Sequence, residues 1–373
     1  MRKLKFVASA CLLILSMVGC STDVDAAPVY GVDSLRLVPV DTIGVLMGDS
    51  TEVFGHIFDA TVLPSGELVV VDLLKRCASV FDSRGQFVRR IGRSGSGPGE
   101  FQHAPTFVLW LPGSELIAIR EDVTSDWLTY SAQGEFADKR DLAENMITDI
   151  VFLDDSTAVF YTLGVEWNTL DVSYSVQCLD IDTGEPVSDI LFYEKPMEPS
   201  SDFLPGYVML TADGNGSLFL SRANTQHWSV EVYSRDGELL NTLERTDVAE
   251  REHVIVPESA EDTPVIPGIE PFTIMTTGEN GLSMTKTTNL PEDHPIISAL
   301  AIDSEGRLWS RRGGFPGNTW DISDTEGNRI AVVDVALPDS VCHNLIINPY
   351  GYIAIDNRRS DFHRVYIMEL EEK

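Results

Sequence analysis

A short apolar run of β character, closed by a polar residue, recurs down the chain. It reads Glu67-Leu-Val-Val-Val-Asp72, Glu115-Leu-Ile-Ala-Ile-Arg120, Thr157-Ala-Val-Phe-Tyr-Thr162, Ser217-Leu-Phe-Leu-Ser-Arg222, Arg307-Leu-Trp-Ser-Arg-Arg312 and Tyr352-Ile-Ala-Ile-Asp-Asn357. Most copies start roughly 40–60 residues apart, and one interval is about twice that length. A Gly-bearing turn recurs with them, at Ser83-Arg84-Gly85, Ala132-Gln133-Gly134, Asp182-Thr183-Gly184, Arg235-Asp236-Gly237 and Thr325-Glu326-Gly327. Each turn separates two apolar runs, the position in which Gly closes a hairpin. No other feature restricts the fold so tightly, because one four-stranded unit cannot bury both of its faces and needs its neighbours.

The clearest unit is Phe54–Phe101, with four β-rich runs joined by turns at Pro64-Ser65-Gly66 and Ser83-Arg84-Gly85. Repetition of such units predicts an all-β chain, a six-bladed β-propeller of four-stranded antiparallel blades over residues 34–373. The long interval covers residues 247–292, whose Pro- and Glu-rich stretch breaks strand alternation; it reads as a loop insertion with one helical turn or a short hairpin. The isolated β-run Ser34–Val40 stands before the first blade and is expected to close the last one, removing the open edges of the ring.

Arg2, Lys3 and Lys5 followed by apolar Phe6–Val18 form a signal peptide over residues 1–19, too short for a comfortable spanning helix. The run Leu15-Ser16-Met17-Val18-Gly19-Cys20 resembles a bacterial lipobox, with Met17 where Leu is usual. The resemblance implies lipidation of Cys20, a tether over residues 20–33, and anchoring to the bacterial cell envelope. Ser21 after the Cys favours the outer membrane, facing periplasm or cell surface. With 58 Asp+Glu against 27 Lys+Arg, the net charge of −31 argues against nucleic acid, and restricts membrane contact to the lipid anchor. Cys77, Cys178 and Cys342 are too scattered for a disulfide framework or a zinc site and read as buried thiols.

Asp82-Ser-Arg-Gly-Gln-Phe87 and Gly95-Ser-Gly-Pro-Gly-Glu-Phe101 resemble an NHL-type repeat, and Leu300-Ala-Ile-Asp-Ser-Glu-Gly-Arg-Leu-Trp309 is similar to the corresponding blade of bacterial six-bladed propeller lipoproteins. The resemblance covers nearly the whole chain. It implies a fold and leaves the activity open, because propellers host binding modules and enzymes alike. The Gly92–Gly99 segment lacks the Lys-Ser/Thr of a phosphate loop and reads as a turn between blades.

Aligning the units on the turn before their second strands places Asp59, Phe107, Asp149, Met209, Ala299 and Asn344 in one register at a channel mouth, preceded by Phe58, Thr106, Thr148, Val208, Ser298 and His343. Asp59, Asp149, Asn344 and His343 are the candidate ligand-binding residues, oxygen-rich enough for Ca2+ or another divalent cation. His56, His103 and His294 also precede innermost strands and outline a rim. Trp167 and Trp320 are the tryptophans expected to be exposed; the other four are expected to pack between blades. Peptide-amidating lyases carry three channel His ligands, of which His343 alone has a counterpart here. Against gluconolactonase-like lactonases, Ser298 stands where a metal-binding Asp is expected. Both departures, and the lack of a Gly-x-Ser-x-Gly elbow, point away from catalysis. The sequence therefore favours a lipid-anchored, non-catalytic binding platform for a protein, peptide or glycan ligand. A metal-dependent hydrolase or lyase working at the channel is the alternative.

Overall fold

The computed structural model describes residues 33–122, 126–141, 146–166, 171–196, 208–223, 225, 227–245, 273–278, 281–286, 296–312, 319–337, 343–357 and 362–372. The lipobox with Cys20, together with Cys342, Trp167 and His294, lies outside them. Every regular element among the described residues is a β-strand.

Five blades are antiparallel and run outward in chain order. Blade 1 is β2 (Ile57–Val62), β3 (Leu68–Asp72), β4 (Cys77–Phe81) and β5 (Phe87–Ile91). Blade 2 is β6 (Pro105–Leu111), β7 (Leu116–Glu121), β8 (Asp126–Ser131) and β9 (Phe136–Asp141). Blade 3 is β10 (Met146–Phe152), β11 (Thr157–Glu166), β12 (Asp171–Asp180) and β13 (Pro186–Pro196). Blade 4 is β14 (Val208–Ala212), β15 (Ser217–Arg222), β16 (Trp228–Ser234) and β17 (Leu239–Arg245). Blade 5 is β20 (Ile297–Ile302), β21 (Leu308–Arg312), β22 (Thr319–Ser323) and β23 (Arg329–Val335).

Blade 6 takes β24 (His343–Asn348), β25 (Gly351–Asp356) and β26 (Arg364–Glu372) from the end of the chain. Its fourth strand is β1 (Asp33–Ile43), antiparallel to β26 and, through Asp33–Leu37, parallel to β23. The early β-run thus closes the last blade as expected. It also covers the outer edge of blade 5, so two blades share one eight-stranded sheet. The insertion contains a hairpin, β18 (Thr273–Gly278) with β19 (Gly281–Lys286).

The recurring turns have a common construction. Gly85, Gly134, Gly237 and Gly327 adopt φ between +71° and +88°, a region that a Cβ disfavours. Three residues earlier stands a short polar side chain that ties the turn. Asp82 Oδ1 accepts the Arg84 and Gln86 amides, Ser131 Oγ those of Gln133 and Glu135, and Asp324 Oδ1 those of Glu326 and Asn328.

The core is divided among the junctions between blades. Val69, Val71 and Val80 of blade 1 meet Val108, Ile117 and Ile119 of blade 2. Corresponding clusters join blades 2 and 3, 3 and 4, 4 and 5, and 5 and 6. A sixth, with Ile353, Ile355 and Val365 against Ile57, Val70 and Phe81, joins blade 6 back to blade 1. Six blades and six apolar junctions make a closed ring. Second strands supply both faces, which is why Leu68–Asp72 is buried at every position and reads as a continuous apolar run. One expectation is corrected: Trp320 is only 2% exposed and sits edge-on to Trp309, because β22 turns its ring into the junction between blades 5 and 6.

Candidate functional site

Strand direction defines two rims. Innermost strands begin, and second strands end, at the entry rim; the Gly turns lie at the opposite one. The entry rim therefore receives the connections from one blade to the next, including that from Arg245 to Ile296 which carries the insertion.

At this rim four innermost strands bulge. The ladder slips between Ile57 and Asp59, Pro105 and Val108, Ile147 and Asp149, and Ile297 and Ala299. The extra residues are Phe58, Thr106 with Phe107, Thr148 and Ser298. β14 and β24 pair regularly, with Val208 opposite Arg222 and His343 opposite Asp356. Asp59, Met209, Ala299 and Asn344 oppose the next-to-last residue of their partner's ladder segment; Asp149 opposes Tyr161, one residue further in because the ladder of β11 runs on to Leu163, and Phe107 falls inside its bulge. A bulge re-aims side chains locally, and its repetition at one level gives the rim its character.

Two of the four candidate ligands act on one another. Asp59 Oδ1 accepts the Ala60 amide at 2.8 Å, and Oδ2 reaches to blade 2 and accepts the Val108 amide at 3.0 Å. Burial pushes the Asp59 carboxyl up to about 6, against the pull of those two amides. Asp149 accepts the Ile150 amide at 2.8 Å. Burial, with a smaller push from the charge of Asp59, raises Asp149 to about 7. Burial and the repulsion between the two charges both favour the protonated form of these carboxyls. Beside them the Phe58 ring, 38% exposed, meets Phe107 edge-to-face at 5.6 Å. Asn344 is exposed at the same level of blade 6; for His343 the backbone pairing is described. Among the described residues no group of three or more His, Cys, Asp or Glu could hold a metal ion.

The carboxylates that end the second strands of blades 1 and 2 tie this rim. Asp72 accepts the Gly55, His56 and Lys75 amides, and Glu121 accepts that of His103. His56 and His103 are thus placed by their backbones against a carboxylate. The partner of the His56 ring is His363, 4.6 Å away between centroids. Sequence reasoning missed His363 because it precedes an outer strand. It also missed the contact between Phe58 and Phe107, although the two stand in adjacent register positions.

The comparisons agree with this architecture. Residues 58–199 match the family model DUF5128, described as a 6-bladed beta-propeller. A crystal structure of a duf4221 family member from Bacteroides vulgatus aligns with a TM-score of 0.50 at 10% identity, over 91% of this chain and 99% of that one. A putative exported protein from Bacteroides fragilis aligns with a TM-score of 0.47 at 14% identity, over 92% and 97% of the two chains. No curated protein matches the chain. At such identities the likeness is one of fold, and it concurs with the six junctions counted above: the chain is a six-bladed β-propeller.

Proposed function

We propose that the ring is a non-catalytic binding platform for a protein, peptide or glycan ligand, held at the bacterial cell envelope by a lipid on Cys20. The observation that carries this reading is the composition of the entry rim. Channel carboxylates and the Phe58–Phe107 pair share it with the exposed apolar side chains Leu46, Met47 and Leu74. Lys75 braces that apolar corner, its Nζ donating to the Ser50 and Val53 carbonyls. Apolar groups and aromatic rings beside fixed charges are what a recognition surface needs. The test is capture from envelope extract, with glycan and peptide arrays in parallel, using full-length chain at micromolar concentration. A ligand whose capture weakens in Met47→Asp and Phe58→Ala supports the platform; empty extracts and empty arrays sink it. Labelling with a radioactive fatty acid, lost in Cys20→Ala, checks the anchor.

One observation favours a second reading, a metal-dependent hydrolase or lyase at the channel. Asp59 and Asp149, at about 6 and about 7, are poised for acid–base work near neutral pH. Elemental analysis of protein purified without chelator decides it. A stoichiometric divalent ion lost in Asp59→Ala and Asp149→Ala supports the enzyme, and ion-free protein removes it.

A further inference from the structure

The junction between blades 2 and 3 leaves several buried hydrogen-bonding groups without a partner. The layer between these blades is lined by Leu116 and Ala118 of β7, by Trp127 of β8 and by Ile147, Ala158 and Phe160 of blade 3. Alternation along a strand decides which side chains reach the entry-rim end of that layer. Arg120 continues the face of Leu116 and Ala118, and pairs across the ladder with Trp127. Thr162 continues the face of Ala158 and Phe160, and pairs with Ile147.

These three residues bring unused hydrogen-bonding groups to the entry-rim end of one layer. Trp127 is 0% exposed and its indole Nε1 has no partner. Thr162 is 4% exposed and its hydroxyl has none either. The Arg120 Nε is buried without an acceptor. In a chain with 58 acidic residues and 27 Lys+Arg, Arg120 is the one half-buried arginine among the described residues whose guanidinium forms neither a hydrogen bond nor an ion pair. Desolvation accordingly lowers its pKa, offset only by the charge of Asp122. A guanidinium fork, an indole N–H and a hydroxyl are a donor set, and its complement is an oxyanion.

We propose that the entry-rim end of the layer between blades 2 and 3 seats a carboxylate of the ligand, with Arg120 as the charged anchor and Trp127 and Thr162 as flanking donors. The inference rests on the platform reading and deepens it by naming a group the ligand carries. A carboxylate suits the set better than a bulkier phosphate, because the layer beneath is apolar and the planar fork of Arg120 matches a planar acceptor. The carboxylate could belong to a peptide terminus or to an acidic sugar, and the chemistry is the same.

The experiment is titration of the full chain with matched acid and amide probes, read by calorimetry and by the indole N–H resonance of Trp127, assigned through Trp127→Phe. The probes are an acetylated dipeptide with a free or an amidated end, and glucuronate against glucuronamide. The expected result is that at least one acid binds and moves the Trp127 resonance while its amide does neither; which acid does so identifies the source. Arg120→Gln weakens that binding about tenfold to a hundredfold, Arg120→Lys less, and Thr162→Val by a few-fold. Acids that bind no better than their amides, or binding unchanged in a folded Arg120→Gln, overturn the inference. If the captured ligand still binds Arg120→Gln normally, the carboxylate seat falls while the platform stands.

Discussion

The junction between blades 4 and 5 uses the same residue types as that between blades 2 and 3 and finishes them differently. In the former, Arg245 and Asp321 are almost fully enclosed and pair at 3.5 Å, with Arg312 adding a two-pronged contact to Asp321 at 2.7 and 3.1 Å. The Trp228 indole donates to Ser310 Oγ at 3.1 Å, and the Arg245 guanidinium lies 4.8 Å above the Trp228 ring. In the latter, an arginine, a buried tryptophan and a buried hydroxyl stand with those groups unmatched. A buried polar group left unpaired costs about 1–3 kcal/mol, so the two junctions are far apart in what they contribute to folding. The first junction also leaves one hydroxyl, that of Ser221, without a partner, but its arginine and indole are matched; the second leaves both unmatched, which marks it as the place to look for an outside partner.

The sharpest way to break this contrast is to unmatch the matched junction. Asp321→Ala leaves the enclosed Arg245 and the partly exposed Arg312 without their shared carboxylate, and breaking such a buried pair costs about 3–5 kcal/mol. Urea unfolding should show a lower midpoint with an unchanged slope. A loss below about 1 kcal/mol would mean that the arginines find water, and that the junctions differ less than their geometry implies.

Next in size is the pH response of the channel carboxyls. Unfolded aspartates titrate near 3.9, and in the ring Asp59 and Asp149 titrate at about 6 and about 7. Between roughly pH 4 and pH 7 the folded state therefore holds more protons than the unfolded one, and stability falls as pH rises. The contribution is whole below about pH 4 and gone above about pH 7. Asp149→Asn, whose amide oxygen can still accept from Ile150, should match the wild type at pH 4 and exceed it at pH 8 by about 2 kcal/mol. Equal stability at both pH values would show that the carboxyls are better solvated than their setting implies.

How much of this was legible in the sequence depends on how local each signal is. The hairpins announce themselves, because Asp82 and Gly85, or Asp324 and Gly327, satisfy one turn within a few residues. Ring closure was legible too, since a β-run before the first blade has one good place to go. The bulges at the channel mouth were not legible, because the extra residues Phe58, Phe107, Thr148 and Ser298 look like ordinary members of their runs. Trp320 was misread because it comes after a Gly-rich stretch, yet a strand only five residues long turns its ring inward. Arg120 looked like the polar full stop of an apolar run, as Asp72 and Arg222 do. Only the folded chain shows that Asp72 holds amides of its own blade, that Arg222 pairs with Glu231 of the adjacent strand at 2.9 Å, and that Arg120 has no such partner.

That difference gives a smaller test of opposite sign to the first. Replacing Arg120 by Leu removes a half-buried, unmatched charge and adds apolar contact with Trp127 across the ladder. Isosteric apolar replacement of poorly matched buried charge is often neutral or stabilising, here by about 1 kcal/mol. Arg120→Leu should thus melt at the wild-type temperature or slightly above it, while losing the acid-specific probe binding. Marked destabilisation would assign Arg120 to the fold instead.

The smallest effect belongs to a third junction, where blade 6 meets blade 1 and the fit is complete but sensitive to acid. Both polar backbone groups of Ile57 are taken by blade 6: its N–H donates to His363 Nδ1 at 3.2 Å, and its carbonyl accepts from Asn357 Nδ2 at 2.8 Å. Acceptance at Nδ1 requires a neutral ring with its proton on Nε2. Burial first, and the neighbouring His56 second, lower the His363 pKa, with Asp72 and Asp356 opposing them. A histidine depressed in the fold contributes stability above its unfolded pKa of about 6.5, and that stability is lost as pH falls through the folded value. The sign is opposite to that of the channel carboxyls, so the wild-type profile partly hides it. With Asp59→Asn and Asp149→Asn both in place, the residual acid sensitivity should be about 0.5–1 kcal/mol as pH falls below roughly 6.5, and His363→Gln should flatten it. Should the profile keep its slope once His363 is replaced in that background, the acid-sensitive contact lies elsewhere and the clasp on Ile57 is held by Asn357 alone.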